Sequence, residues 1–69
     1  MKEISLNNGH SYMSADEAMP EILADDLWDV VVDRMDDDTR EAVHAELAPC
    51  TELEFLTRYL ELASADLTV

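Results

Sequence analysis

Asp25, Asp29 and Asp33 recur at every fourth residue, Asp36 follows almost one turn later, and Asp26 and Asp37 flank the row. On one continuous helix, at about 100° per residue, these six carboxylates fall within about a third of the circumference. Asp38 and Glu41 carry the acids onward. What such an array can do is electrostatic. The rise from i to i+4 is about 6 Å, and duplex DNA carries one charge per about 1.7 Å of axis, counting both strands. A row of carboxylates, supplemented by acids from neighbouring helices, begins to resemble a phosphate backbone. A basic groove built for DNA is attracted to such a row and occupied by it, in fast, salt-sensitive association. Asp25, Asp26, Asp29, Asp33, Asp36, Asp37, Asp38 and Glu41 are the candidate partner-binding residues.

Other chemistry fares less well. Asp36-Asp37-Asp38 suggests a cation site, but a calcium loop needs acids at alternating positions, a Gly at the sixth and a Glu at the twelfth. No Gly stands where a loop beginning at Asp33 or Asp36 needs one. Glu41, His44 and Cys50 suggest a metal or nucleophile, yet there is no second cysteine and His10 sits beside a presumed turn, so structural or surface roles are the expectation. Neither a phosphate-binding Gly-rich loop nor a G-x-S-x-G elbow occurs. Solvated carboxylates make poor general acids at neutral pH. The reading is a non-enzymatic protein with no catalytic residues, no metal and no cofactor. Direct nucleic-acid binding fails on charge, because Lys2, Arg34, Arg40 and Arg58 are the only bases and are scattered.

The whole chain of 69 residues carries 17 acids against 4 Lys and Arg, a formal net charge of −13. A small soluble domain ordinarily carries a magnitude of about 2 to 8. Hydrophobic content of 48%, one Gly and two Pro argue for a folded domain over a disordered acidic tail. The charge is uneven: residues 1–13 hold only Lys2 and Glu3, whereas residues 14–46 hold 12 acids and 2 bases. Like charges at i, i+4 destabilise a helix by about 0.2–0.5 kcal/mol per pair. Asp16, Glu17 and Glu41 repay this as partners of helix N-termini. Asp33, Asp36 and Asp37, read as the end of one helix, do not, which points to function. Solubility alone, or halophily, is the plainer reading of the same acids.

One cysteine excludes an intramolecular disulfide and fits a reducing, cytoplasmic setting. Met1 to Tyr12 lacks the long apolar core of a signal peptide. No apolar run exceeds three residues, against about 20 for a membrane span.

A single domain over residues 1–69 must position the acids, and its pattern is α+β. Ile4 and Leu6, the turn residues Asn7-Asn8-Gly9, and Ser11 to Met13 predict an N-terminal hairpin. Ser14 and Glu17 form a capping box opening a first helix with Ala15, Ala18, Met19, Ile22 and Leu23 on its apolar side and a kink or ragged turn at Pro20. Asp25 or Asp26 caps a second helix to about Met35, with Leu27, Trp28, Val31 and Met35 inward; the Val30-Val31-Val32 triplet leaves a strand as the alternative. Asp38-x-x-Glu41 starts a third helix with Val43 and Leu47 inward, stopped by Pro49. Thr51-x-x-Glu54 caps a fourth, whose apolar face holds Leu53, Phe55, Leu56, Tyr59, Leu60 and Leu62. Asp66 to Val69 can add a short strand to the hairpin. Tyr12 is the aromatic expected at the surface.

Three stretches carry a resemblance: Leu27-Trp28-Asp29-Val30-Val31-Val32-Asp33, Met35-Asp36-Asp37-Asp38-Thr39-Arg40-Glu41, and Phe55-Leu56-Thr57-Arg58-Tyr59-Leu60-Glu61-Leu62. With the size, charge and α+β pattern, they resemble small acidic accessory proteins of bacterial mobile elements, and among these the anti-CRISPR proteins that inhibit a type I-C surveillance complex. The resemblance implies a monomer in the host bacterial cytoplasm that blocks target-DNA binding by a CRISPR effector. It would do so through a DNA-mimicking face or by occluding the site that reads DNA. Two rivals stay open: an antirestriction DNA mimic, and an interaction protein that binds through an apolar patch.

Overall fold

The computed structural model describes residues 2–6 and 9–69, and it is an α+β domain of four helices and one small sheet. Strands β1 (Ile4–Ser5) and β2 (Ser11–Tyr12) pair antiparallel, with Ile4 opposite Tyr12 and Ser5 opposite Ser11. The predicted turn residues Asn7 and Asn8 lie outside the described residues. Gly9 adopts φ +88°, a conformation that costs glycine nothing, and its N–H bonds to the Leu6 carbonyl at 3.2 Å. Strand β3 (Leu67–Thr68) joins β1 on its other side in parallel, giving the order β2-β1-β3. The Leu67 and Val69 N–H groups donate to the Glu3 and Ser5 carbonyls at 3.0 and 2.8 Å. Alternation sets the faces: Ile4, Leu6 and Leu67 point into the core, and Ser5 and Thr68 point away.

Helix α1 (Ala15–Ala24) starts at Ser14, whose Oγ accepts the Glu17 N–H at 3.3 Å. The helix continues through Pro20 as one ten-residue element. Pro20 lies on the exposed side and removes the donor to the Asp16 carbonyl. Ala15, Ala18, Met19 and Ile22 are buried as expected, whereas Leu23 is 56% exposed.

Helix α2 (Trp28–Arg34) is shorter than the sequence suggests, and neither Asp25 nor Asp26 caps it. Both residues instead close α1. The Asp26 N–H bonds to the Leu23 carbonyl at 3.3 Å and the Leu27 N–H to the Ile22 carbonyl at 2.8 Å. That pair of bonds is a Schellman motif, with Asp26 in the left-handed position at φ +53°. Aspartate tolerates this conformation better than most residues do. Helix α2 then begins at Leu27 without a side-chain cap, and Val31 and Met35 enter the core, so the Val30-Val31-Val32 triplet is helical.

Helices α3 (Asp37–Leu47) and α4 (Glu52–Leu62) complete the chain. The N-cap of α3 is Asp36, two residues earlier than the predicted start at Asp38. The Thr51–Glu54 capping box of α4 forms in both directions. Helix α4 packs against α1 and α3 and lays Leu56, Tyr59 and Leu60 in the centre of the core. Leu53 and Leu62, expected on that face, are exposed at 36% and 41% because only one side of α4 meets the other layers. Tyr12 packs against the core instead of standing at the surface. No helix among the described residues is long and apolar enough to cross a membrane.

Candidate functional site

The row read as one helical stripe is divided among three elements. Asp25 and Asp26 sit in the α1–α2 turn, Asp29 and Asp33 on α2, and Asp36 at the N-cap of α3, with Asp37, Asp38 and Glu41 in its first turns. The break falls at Met35–Asp36, where both residues take extended backbone. Asp29 and Asp33 keep the predicted relation: each lies about 200° from Val31 around the axis, and both are exposed while Val31 is wholly buried.

The division changes the electrostatic argument for Asp36 and Asp37. They stand at the start of a helix, where the dipole favours a carboxylate, and not at the end of one. Asp36 Oδ2 accepts both the Thr39 N–H and the Thr39 hydroxyl at 3.0 Å. The backbone bond from Thr39, then its hydroxyl, hold the Asp36 carboxyl below the usual carboxylate value of 3.8. The Asp36 N–H in turn donates to the Tyr59 hydroxyl at 2.9 Å, pinning this corner to α4. A lowered pKa means that the cap stabilises the fold above the unfolded-state value, and that this contribution is lost as pH falls through the folded-state value. The D36A variant is expected to unfold at lower urea concentration than the parent from pH 7 down to about 5, with the gap closing below about pH 4. Urea titrations across that range check it.

Asp37 is also engaged. Its Oδ1 accepts from Arg40 Nη2 at 2.6 Å, and Arg40 Nη1 donates to the Val32 carbonyl at 3.0 Å. Arg40 therefore closes the last turn of α2 from α3. Arg58 ties α3 to α4 through Glu46 at 3.1 Å and reaches Glu61 at 3.8 Å. Two of the four bases are thus spent inside the fold. Among the described residues, the side chains of Asp25, Asp26, Asp29, Asp33, Asp38 and Glu41 make no hydrogen bond or ion pair. All six are exposed.

This concentration of like charge is costly to the folded state. At about 0.01 M salt the Debye length is about 30 Å, as long as the molecule, which measures 31 × 22 × 19 Å. Every exposed acid then feels the others. Raising salt to about 0.5 M confines the interaction to nearest neighbours, so the midpoint of thermal unfolding is expected to rise by several degrees. A scan across sodium chloride followed by circular dichroism measures it; a flat response would mean that the charges are not in mutual repulsion.

Beside the acids lies a feature that sequence reading missed. An open cleft of about 660 Å³ forms where α2, α3, the α3–α4 loop and α4 meet. Trp28, Val32, Pro49 and Phe55 give it apolar surface, and Arg40, Glu41, His44, Thr51 and Glu52 polar walls. Trp28 and Phe55 meet edge to face with ring centroids 6.3 Å apart. Both rings are half-buried. Glu41, His44 and Cys50 do share this cleft, but no three His, Cys, Asp or Glu among the described residues are grouped to hold a metal ion. Trp28 and Phe55 lie far apart in the chain, with a whole helix between them, so no local signal announces that they meet.

A family model for the anti-CRISPR protein AcrIC5 matches residues 24–62, more than half of the chain. The chain belongs to the AcrIC5 family of anti-CRISPR proteins. Among curated proteins and among solved structures, nothing matches it significantly. The AcrIC5 match spans α2, α3 and α4, and takes in all eight candidate acids and every residue of the cleft. The strands and most of α1 fall outside it. Membership makes the chain an anti-CRISPR inhibitor whose partner is a CRISPR effector complex. Proteins of this kind are typically non-enzymatic inhibitors.

Proposed function

We propose that this chain, acting as a monomer, blocks target-DNA binding by a CRISPR surveillance complex. It does so by presenting an acidic, DNA-mimicking face to the complex's DNA-binding groove. The observation that supports the reading is the set of six exposed carboxylates at Asp25, Asp26, Asp29, Asp33, Asp38 and Glu41, which no cation among the described residues neutralises. Asp36 and Asp37 belong to the same face but are held by Thr39 and Arg40, so they shape it more than they offer charge.

The mechanism needs no covalent step. Arg and Lys of the groove meet carboxylates where phosphates would lie, and the negative field of the face draws the two surfaces together before contact. Target DNA and inhibitor then compete for one site. The test is equilibrium competition between this chain and labelled target DNA for a type I-C surveillance complex, repeated across salt. Displacement that weakens steeply with salt is the expected result. Simultaneous binding of DNA and inhibitor would sink the proposal, and salt-insensitive displacement would favour an apolar contact.

A further inference from the structure

We infer that the cleft between α2, α3, the α3–α4 loop and α4 is a receptor for an arginine side chain of the partner's DNA-binding surface; this rests on the proposed acidic-face reading and supplies its anchor. Three observations carry it. First, Glu41 and Glu52 stand in the cleft wall, both exposed and without an ion pair among the described residues, so two uncompensated carboxylates face an incoming cation. Arg40 also lines the cleft, but its guanidinium is engaged by Asp37 and the Val32 carbonyl and makes no ion pair with either glutamate.

Second, Trp28, Val32, Pro49 and Phe55 offer apolar surface that a simple ammonium does not use. A guanidinium on a three-carbon stem does use it: the stem lies on apolar surface while the planar head stacks on an aromatic ring, indole being the best such partner. Third, Glu41 belongs both to the free carboxylates and to the cleft wall, so the cleft and the set of free acids meet at that residue. A surface that binds DNA presents many arginines. An acidic face attracts them collectively, and the cleft would hold one of them in a fixed place, giving the inhibitor a register that charge alone does not set.

Trp28 is the only tryptophan, so its fluorescence reports on the cleft directly. The intact chain is titrated with N-acetyl-arginine amide, and in parallel with N-acetyl-citrulline amide, which keeps the shape and loses the charge. A saturable change with the arginine probe, with a dissociation constant of about millimolar order, is expected, and citrulline should bind more weakly by about fivefold or more. The E41Q/E52Q variant should weaken arginine binding by about threefold or more. A D16N/E17Q variant, which removes the same formal charge from α1, should not. Equal binding of both probes, no saturable change, or equal loss in the two double variants would each overturn the assignment. Competition with target DNA is read separately on the unmodified chain. Arginine binding without DNA competition would defeat the acidic-face reading alone, and competition without arginine binding would defeat the cleft alone.

Discussion

Changing Asp25, Asp29 and Asp33 together to lysine is expected to reduce inhibition of target-DNA binding by about a hundredfold or more, while the chain stays folded. The three positions are chosen by what the structure frees. None of the three carboxylates makes a hydrogen bond or ion pair among the described residues, and all are exposed. Asp25 and Asp33 stand at the C-terminal ends of α1 and α2, where lysine suits the helix dipole better than aspartate does. Only Asp29, in the first turn of α2, gives up a favourable position, at about 0.3–1 kcal/mol. Relief of the like-charged pairs along the row, about 0.2–0.5 kcal/mol each, offsets part of that. Each reversal adds two units of charge, so the formal net charge moves from −13 to −7. The fold gains or loses little while the face loses its sign. Asp37 is left untouched because its carboxylate holds Arg40, and reversing it would disturb the end of α2. The measurement is competition against labelled DNA with thermal unfolding in parallel. Undiminished inhibition by a folded triple variant would end the mimicry reading.

Replacing Leu56 with alanine is expected to have the largest effect on stability. Leu56 is wholly buried on α4, the helix that packs against both α1 and α3. Truncating a buried leucine typically costs about 2–5 kcal/mol, through lost transfer energy and the cavity left behind. A domain of this size buries only about 60% of its unfolded surface, and total stabilities run from about 5 kcal/mol upward. The loss is therefore a large fraction of the whole. Urea denaturation followed by circular dichroism should show a midpoint strongly reduced, with the molecule partly unfolded at 37 °C. Leu62, on the same helix but 41% exposed, is the contrast: its change to alanine should fall within about 0.5 kcal/mol of the parent. Equal effects at the two positions would mean that the core is not organised around α4 as described.

The sequence carries the architecture well where local rules act alone. Hydrophobic spacing marks four helices, the Ser14 and Thr51 caps mark two starts, and the strands expected around Ile4, Ser11 and Leu67 pair in one sheet. It fails at corners, where one residue can serve either of two helices. Asp25 and Asp26 look like N-caps of α2, but they end α1, because the Ile22 and Leu23 carbonyls take their donors from Leu27 and Asp26. Asp36 looks like the tail of α2, but it caps α3, and the spacing from Asp36 to Thr39 was the available signal. The candidate acids were all legible as residues, and Asp29 and Asp33 as a helical pair. Which carboxylates are free was not legible, since Arg40 and Arg58 choose their partners through tertiary geometry. The cleft was hidden for the same reason: Trp28 and Phe55 meet only when α2 and α4 do.

The corner at Asp36 separates the two trades that acids follow in this chain. The Asp36 N–H on the Tyr59 hydroxyl ties α3 to α4, and Arg40, held by the Asp37 carboxylate, ties α3 to the Val32 carbonyl of α2. Neighbouring carboxylates at Asp29, Asp33 and Asp38 hold nothing inside the fold. A lineage that must track a changing target can therefore rewrite the outer acids, moving a charge by a turn or exchanging Asp for Glu, without renegotiating the scaffold. Drift at Arg40 would release the Val32 carbonyl and the Asp37 carboxylate, the bonds by which α3 holds the end of α2. The outer acids can thus be exchanged at little cost to the fold, whereas the spacing between them rests on the few groups that hold the corner.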